Sequence, residues 1–139
     1  MKQPTGSKGG VIKRAILAAL TGYSVFAILS LNGSAGIRAG WPAEFEAFDS
    51  GAPITAVSAL LVSVLLGVVC SLAAGLTTAT ISSSQATSQA VALLGLLLLA
   101  TGIGVQASVW ALMPLWYHLV FLFLLVPACL VGARLKKRN

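Results

Sequence analysis

Four stretches of this chain stay apolar for the length a helix needs to cross a bilayer, and short polar intervals separate them. A helix rises about 1.5 Å per residue, so a hydrocarbon layer of about 30 Å asks for about 20 residues. The runs from about Val11 to Leu31, Ile54 to Leu76, Ala90 to Val109 and Pro114 to Ala133 meet that length. The pattern predicts an all-α fold: a four-helix transmembrane bundle, with residues 1–139 forming one integral membrane domain. Residues 32–51 then form an outer loop and residues 77–89 an inner one.

The basic residues decide the expected orientation. Lys2, Lys8, Lys13 and Arg14 precede the first run, and Arg134, Lys136, Lys137 and Arg138 follow the last, which leaves Arg38 alone on the other side. An even number of crossings places both basic ends in the cytoplasm, as the positive-inside rule requires, whereas three or five would violate it at one end. Trp41, Trp110 and Trp116 then fall at the outer ends of the helices, where indole rings favour the headgroup layer. The expected location is the inner (plasma) membrane. A basic start, an apolar stretch and the small residues Gly33, Ser34 and Ala35 also resemble a signal peptide, but the apolar core exceeds the usual length of about 7–15 residues.

Within this frame the outer loop carries all three acidic residues, Glu44, Glu46 and Asp49. It also places Trp41, Phe45 and Phe48 at i, i+4 and i+7 behind Pro42, which predicts a short interfacial amphipathic helix with its aromatic face on lipid or on the helix ends. In the inner loop, Ser82 and Gln85 have the spacing of a capping box for the third helix. The short turn before Pro114 makes the third and fourth helices antiparallel neighbours.

Small residues mark the expected packing faces. Thr55, Ala59, Ser63, Gly67, Ser71 and Gly75 fall at successive four-residue steps in the second run, and Gly95, Gly102 and Gln106 share a face of the third. In lipid, such faces let backbones approach, and a polar side chain such as Gln106 hydrogen-bonds to a neighbouring helix. Pro127 removes a backbone hydrogen bond inside the fourth helix and is expected to bend it.

Composition sharpens the class without naming a chemistry. The content is 58% hydrophobic and 9% charged, and the net charge of +6 is gathered at the ends instead of on a basic face with stacking aromatics, so nucleic acid is not an expected partner. Cys70 and Cys129 lie in apolar runs without metal-ligand spacing, which makes them packing residues. No Asp, Glu, Lys or Arg lies centrally in any run, against the habit of ion-coupled carriers. His118, the one histidine, sits one turn into the last helix. It reads, with Trp41, Phe45, Phe48, Trp110 and Trp116, as an interfacial residue, and its replacement by Gln is expected to leave the fold intact. A lone histidine lacks the second axial ligand of a haem, so no cofactor, metal or catalytic set is expected.

The stretch Pro114-Leu115-Trp116-Tyr117-His118, followed by Pro127 and Gly132, resembles the last helix of small four-span bacterial inner-membrane proteins of unassigned function. The resemblance implies the same topology. The membrane glutamate of small multidrug exporters and the polar pattern of fluoride channels are both missing. The expected function is therefore non-enzymatic: an accessory, assembly or scaffold component of a membrane complex, with the lipid bilayer, other membrane subunits or a second copy as partners. The alternative is a small oligomeric channel or uncoupled transporter with Ser63, Ser71, Thr55 and Gln106 along a polar path. An enzyme joining His118 to the outer carboxylates is a third reading.

The topology has a direct test. A Glu46→Cys protein is expected to react with a membrane-impermeant maleimide in intact cells. Reaction only after the cytoplasmic side is opened would reverse the orientation.

Overall fold

The computed structural model describes residues 7–137. Met1, Lys2, Arg138 and Asn139, on which the terminal charge pattern partly rests, lie outside the described residues. The chain is a multipass membrane protein: four helices, α1 (Lys8–Gly40), α3 (Val57–Ile81), α4 (Thr87–Ser108) and α5 (Leu115–Lys137), are long and apolar enough to span a bilayer. A shorter helix, α2 (Pro42–Asp49), follows α1, and a 3-10 turn (Trp110–Leu112) joins α4 to α5. The four long helices form a ring in the order α1, α3, α5, α4, with α3 packed most extensively on α5 and then on α1.

The helix ends differ from the sequence expectation in ways that have local causes. α1 does not stop at Leu31 but runs on through Asn32 and Arg38 to Gly40, for 33 residues and a length of about 50 Å. The polar, glycine-rich segment 32–40 is therefore helix, and what ends it is Pro42. A proline disfavours helical backbone at the residue before it, and Trp41 has φ −131° and ψ 59°. Likewise α3 continues through the expected inner loop to Ile81, and α4 begins at Thr87, so the true connection is residues 82–86. The Ser82–Gln85 capping box does not form. Ser82 Oγ instead bonds Thr87 Oγ1 at 2.9 Å, and Ser83 O receives the amides of Ala86 and Thr87.

Packing is tightest where side chains are absent. Gly75 on α3 lies against the Cys129 carbonyl and the Ala133 nitrogen of α5, while Gly132 on α5 lies against the Leu72 carbonyl of α3. A β-carbon at either position would overlap backbone, which cannot swing aside. Two elements thus offer glycine to each other's main chain, four to seven residues from the basic end of α5. Ala59, Gly67 and Ser71 of the small-residue stripe are buried and Ser63 is half-buried, with Gly67 beneath the Phe121 ring. Thr55 is the exception: it precedes α3, is exposed and belongs to a cap described below. On the other flank Gly22 of α1 meets Thr78 and Ala74, and Thr78 Oγ1 donates to the Ala18 carbonyl at 3.2 Å. Gly95 and Gly102 of α4 face Val126, Leu122 and Leu125 of α5.

These contacts close the basic half of the bundle. Leu94, Leu98, Leu125 and Cys129 are buried there with Ala19, Ala74 and Ala79 in one cluster. Cys70 and Cys129 are buried free thiols, as packing residues would be.

Enlarging the crossing tests its role. Gly75→Leu or Gly132→Leu should destabilise the protein by more than the about 1–3 kcal/mol usual for overpacking, because the obstacle is main chain. Gly104→Leu, with open space around it, should be neutral. Thermal unfolding in detergent measures the difference, and equal tolerance at all three positions would refute the close crossing.

Candidate functional site

The opposite half of the bundle is not closed. A cavity of about 370 Å³ lies there, lined from all five helices and the turn after α4. Its floor is Leu98 and Leu125, the top of the closed core, and its walls carry the rings of Phe26, Tyr117 and Phe121. α2 roofs it with Phe45 and Phe48, which also pack on the cluster of Ile54, Leu60, Val64 and Tyr117. The exposed wall residues Ser34 and Val105 stand on α1 and α4, so the cavity opens sideways between those two helices. Below the opening, Tyr23 and Thr101 join α1 to α4 through a 2.8 Å hydroxyl–hydroxyl bond.

Polar atoms are set into this apolar space. Ser30, Ser63, Thr101 and Gln106 all line it. Ser63 satisfies itself on the Ala59 carbonyl at 2.8 Å, as Ser71 does on Gly67. The Ser30 hydroxyl oxygen is buried next to the Cys70 thiol, a weak partner, and has no hydrogen bond of ordinary geometry.

His118 stands behind the Gln106 wall, and here the structure corrects the interfacial reading. It is 1% exposed. Its Nδ1 meets the side-chain amide of Gln106, and its Nε2 points to the carbonyls of Met113 at 3.2 Å and Trp110 at 3.3 Å. The Trp110 ring stacks on the imidazole at 4.5 Å and 11°. Nε2 donates to those carbonyls, and Nδ1 is hydrogen-bonded to the Gln106 side chain, whose Oε1 lies against it. The ring thereby fixes Gln106, which is 3% exposed, and ties α4, the turn and α5 together. With both ring nitrogens engaged, replacement of His118 is expected to cost stability. Trp110 and Trp116 are exposed at this end.

Two of the three carboxylates are engaged, and Glu46 is exposed. Glu44 on α2 accepts from the Thr55 amide at 2.9 Å, the Thr55 hydroxyl at 3.0 Å and the Ala56 amide at 3.2 Å, supplying the cap that α3 lacks in its own sequence. Asp49 forms a two-pronged pair with Arg38 at 2.9 and 3.0 Å, and the guanidinium lies 5.1 Å over the Phe45 ring. Neither carboxylate contacts His118, and no group of three His, Cys, Asp or Glu side chains suited to a metal occurs among the described residues. Trp41 leaves the aromatic face of α2 and lines a shallow groove between α1 and α3 with Gly33, Gly36 and Leu66.

Comparison with protein families, curated proteins and solved structures returned no match.

Of the residues proposed for a polar path, the cavity gathers Ser63 and Gln106, whereas Ser71 is sealed in the α3 packing face and Thr55 is held by Glu44. Ser30 and Tyr117 were not singled out in the sequence. A serine on a helix carries no mark of whether it will line a cavity, because that depends on which helices leave space beside it.

Backbone hydrogen bonds hold the Glu44 carboxyl below its usual range, and the Arg38 hydrogen bond does the same for Asp49. A depressed folded pKa contributes stability that is present above the unfolded value and lost as pH falls through the folded one, so α2 should loosen below about pH 4. In Glu44→Ala the Thr55 and Ala56 amides should exchange faster with deuterium at neutral pH than in the parent. His118→Leu should lower the unfolding free energy by about 1–3 kcal/mol by stranding Gln106 and two carbonyls, with thermal unfolding as the measure.

Proposed function

We propose that this protein is a non-enzymatic component of the cytoplasmic membrane, with both termini in the cytoplasm, that holds a neutral amphiphile in the outer half of its bundle. The carrying observation is the cavity itself, walled by aromatic rings and carrying Ser30, Thr101 and Gln106 among its lining residues. Its volume lies in the range of about 300–1,000 Å³ occupied by small-molecule sites, and its mixture of aromatic walls and few polar groups is typical of them. An opening between α1 and α4 admits a ligand from the lipid.

Charge complementarity restricts the ligand. Arg38 at the rim is already answered by Asp49, and no other ionisable side chain with a free charge lines the space. The ligand therefore needs no charge: an aromatic or isoprenoid body fits the rings, and a carbonyl or hydroxyl head meets Ser30, Thr101 and Gln106. The closed half, with Gly75 and Gly132 in main-chain contact, weighs against a pore through one chain. Holding a lipid-derived molecule suits an accessory subunit that presents or senses it within a larger assembly.

The test fills the cavity from Ser30. Ser30→Leu adds apolar volume to the cavity wall, so it should displace the ligand while the protein stays folded in detergent. Mass spectrometry of organic extracts from protein purified in mild detergent is expected to show a neutral lipid at near-equal stoichiometry with the parent and its loss from the variant. Equal extracts from both proteins would reject the reading.

A further inference from the structure

At the basic end, on the far side of the closed core, α4 and α5 part to form a second concavity of about 570 Å³. Its floor is apolar, with Val91 and Ala92 from α4 and Leu130 and Ala133 from α5. Its rim is polar and basic, with Thr87 and Ser88 on one side and Arg134, Lys136 and Lys137 on the other. An apolar trough running into a cluster of cations at the end of spanning helices has the two-part chemistry of a phospholipid. We propose that this groove binds an anionic phospholipid of the adjoining leaflet, with its phosphodiester against Arg134 and Lys137 and an acyl chain along Val91 and Leu130.

The cations of the rim are not equivalent. Lys136 is committed, since its Nζ donates to the Ala79 carbonyl at 2.6 Å and to the Thr80 carbonyl at 3.3 Å, closing the end of α3. Arg134 and Lys137 are exposed, and the one ion pair among the described residues is Arg38–Asp49 at the other end. No acidic side chain stands near them, because Glu44, Glu46 and Asp49 all lie between Pro42 and Asp49 at the other end. Placed at the ends of spanning helices, the nearest anions are lipid headgroups, and basic pockets between membrane helices are where such headgroups are held. The Thr87 hydroxyl already donates to the Ser83 carbonyl, which leaves Ser88, exposed on the rim, as the hydroxyl for a phosphate oxygen. Positive-inside topology accounts for basic residues at this end, but not for their meeting an apolar trough.

The purified full chain in detergent, given phosphatidylglycerol or phosphatidylcholine of equal chain length, supplies the test by native mass spectrometry and thermal unfolding. Phosphatidylglycerol should bind in preference and raise the unfolding temperature. In Arg134→Gln/Lys137→Gln that preference should fall about thirtyfold, two charges at about a factor of five each. Lys13→Gln/Arg14→Gln removes the same charge from the same end without touching the groove and should keep the preference. Ala92→Phe, which fills the trough and leaves every charge in place, should weaken binding of the lipid. Equal loss in both double variants would mean a general field and overturn the site, as would no loss in either. Inorganic phosphate giving the same stabilisation as the lipid would overturn the lipid as occupant.

Discussion

Hydrocarbon solvates a leucine side chain as well as a protein interior does, so nothing in the bilayer pushes spanning helices together, and close fit has to hold them. The reciprocal crossing of α3 and α5, with Gly75 on the main chain of Cys129 and Gly132 on that of Leu72, is where this protein meets that requirement. Close approach there brings Ala79, Ala133 and Cys129 into one dry cluster with Leu94 and Leu125, and α4 seals it through Gly95 and Gly102. Gly22 extends the same logic to α1. The rest of the molecule is arranged around a bundle clamped at one end.

A clamp at one end leaves the other to be held by different means. Toward the acidic end the residues at the interfaces grow larger, from Gly75 to Phe121 over Gly67 and Tyr117 beside Ser63, and helices spaced by rings enclose a void. Polar contacts replace packing there. Glu44 fastens α2 to the start of α3, Arg38 fastens it to α1, and the Ile54 amide donates to the Leu112 carbonyl at 3.0 Å, joining the α2–α3 linker to the α4–α5 turn. Exposed ion pairs contribute little, typically below about 1 kcal/mol. The roof is thus held more weakly than the floor.

The difference between the two halves also explains how much the sequence revealed. Four spans were readable because hydropathy acts locally, and the small-residue face of α3 was readable because spacing does. The extent of α1 was not: residues 32–40 have the composition of a loop, and they remain helical because no residue before Trp41 is forced from the helix. Thr55 was assigned to the packing stripe on spacing alone, while its actual partner, Glu44, stands 11 positions earlier on a helix whose placement periodicity does not give. Ser82 and Gln85 matched a capping box, but α3 continued further than expected and drew Ser82 to Thr87 instead.

His118 shows the same limit at the level of a single group. One turn from a helix start, beside Trp116 and Tyr117, it has the sequence surroundings of a belt residue. Burial depends instead on the direction around the helix axis, and on the 3-10 turn folding Trp110 back across the ring. Once covered, the imidazole must have partners for both nitrogens, because an unpaired polar group away from water costs more than a hydrogen bond returns. Gln106 and the turn carbonyls provide them. The polar residue that reads as helix glue and the one that reads as interfacial are therefore two halves of one bond. Because Gln106 also faces the cavity, the ring that fixes its amide sets which hydrogen-bonding group a ligand meets on that wall.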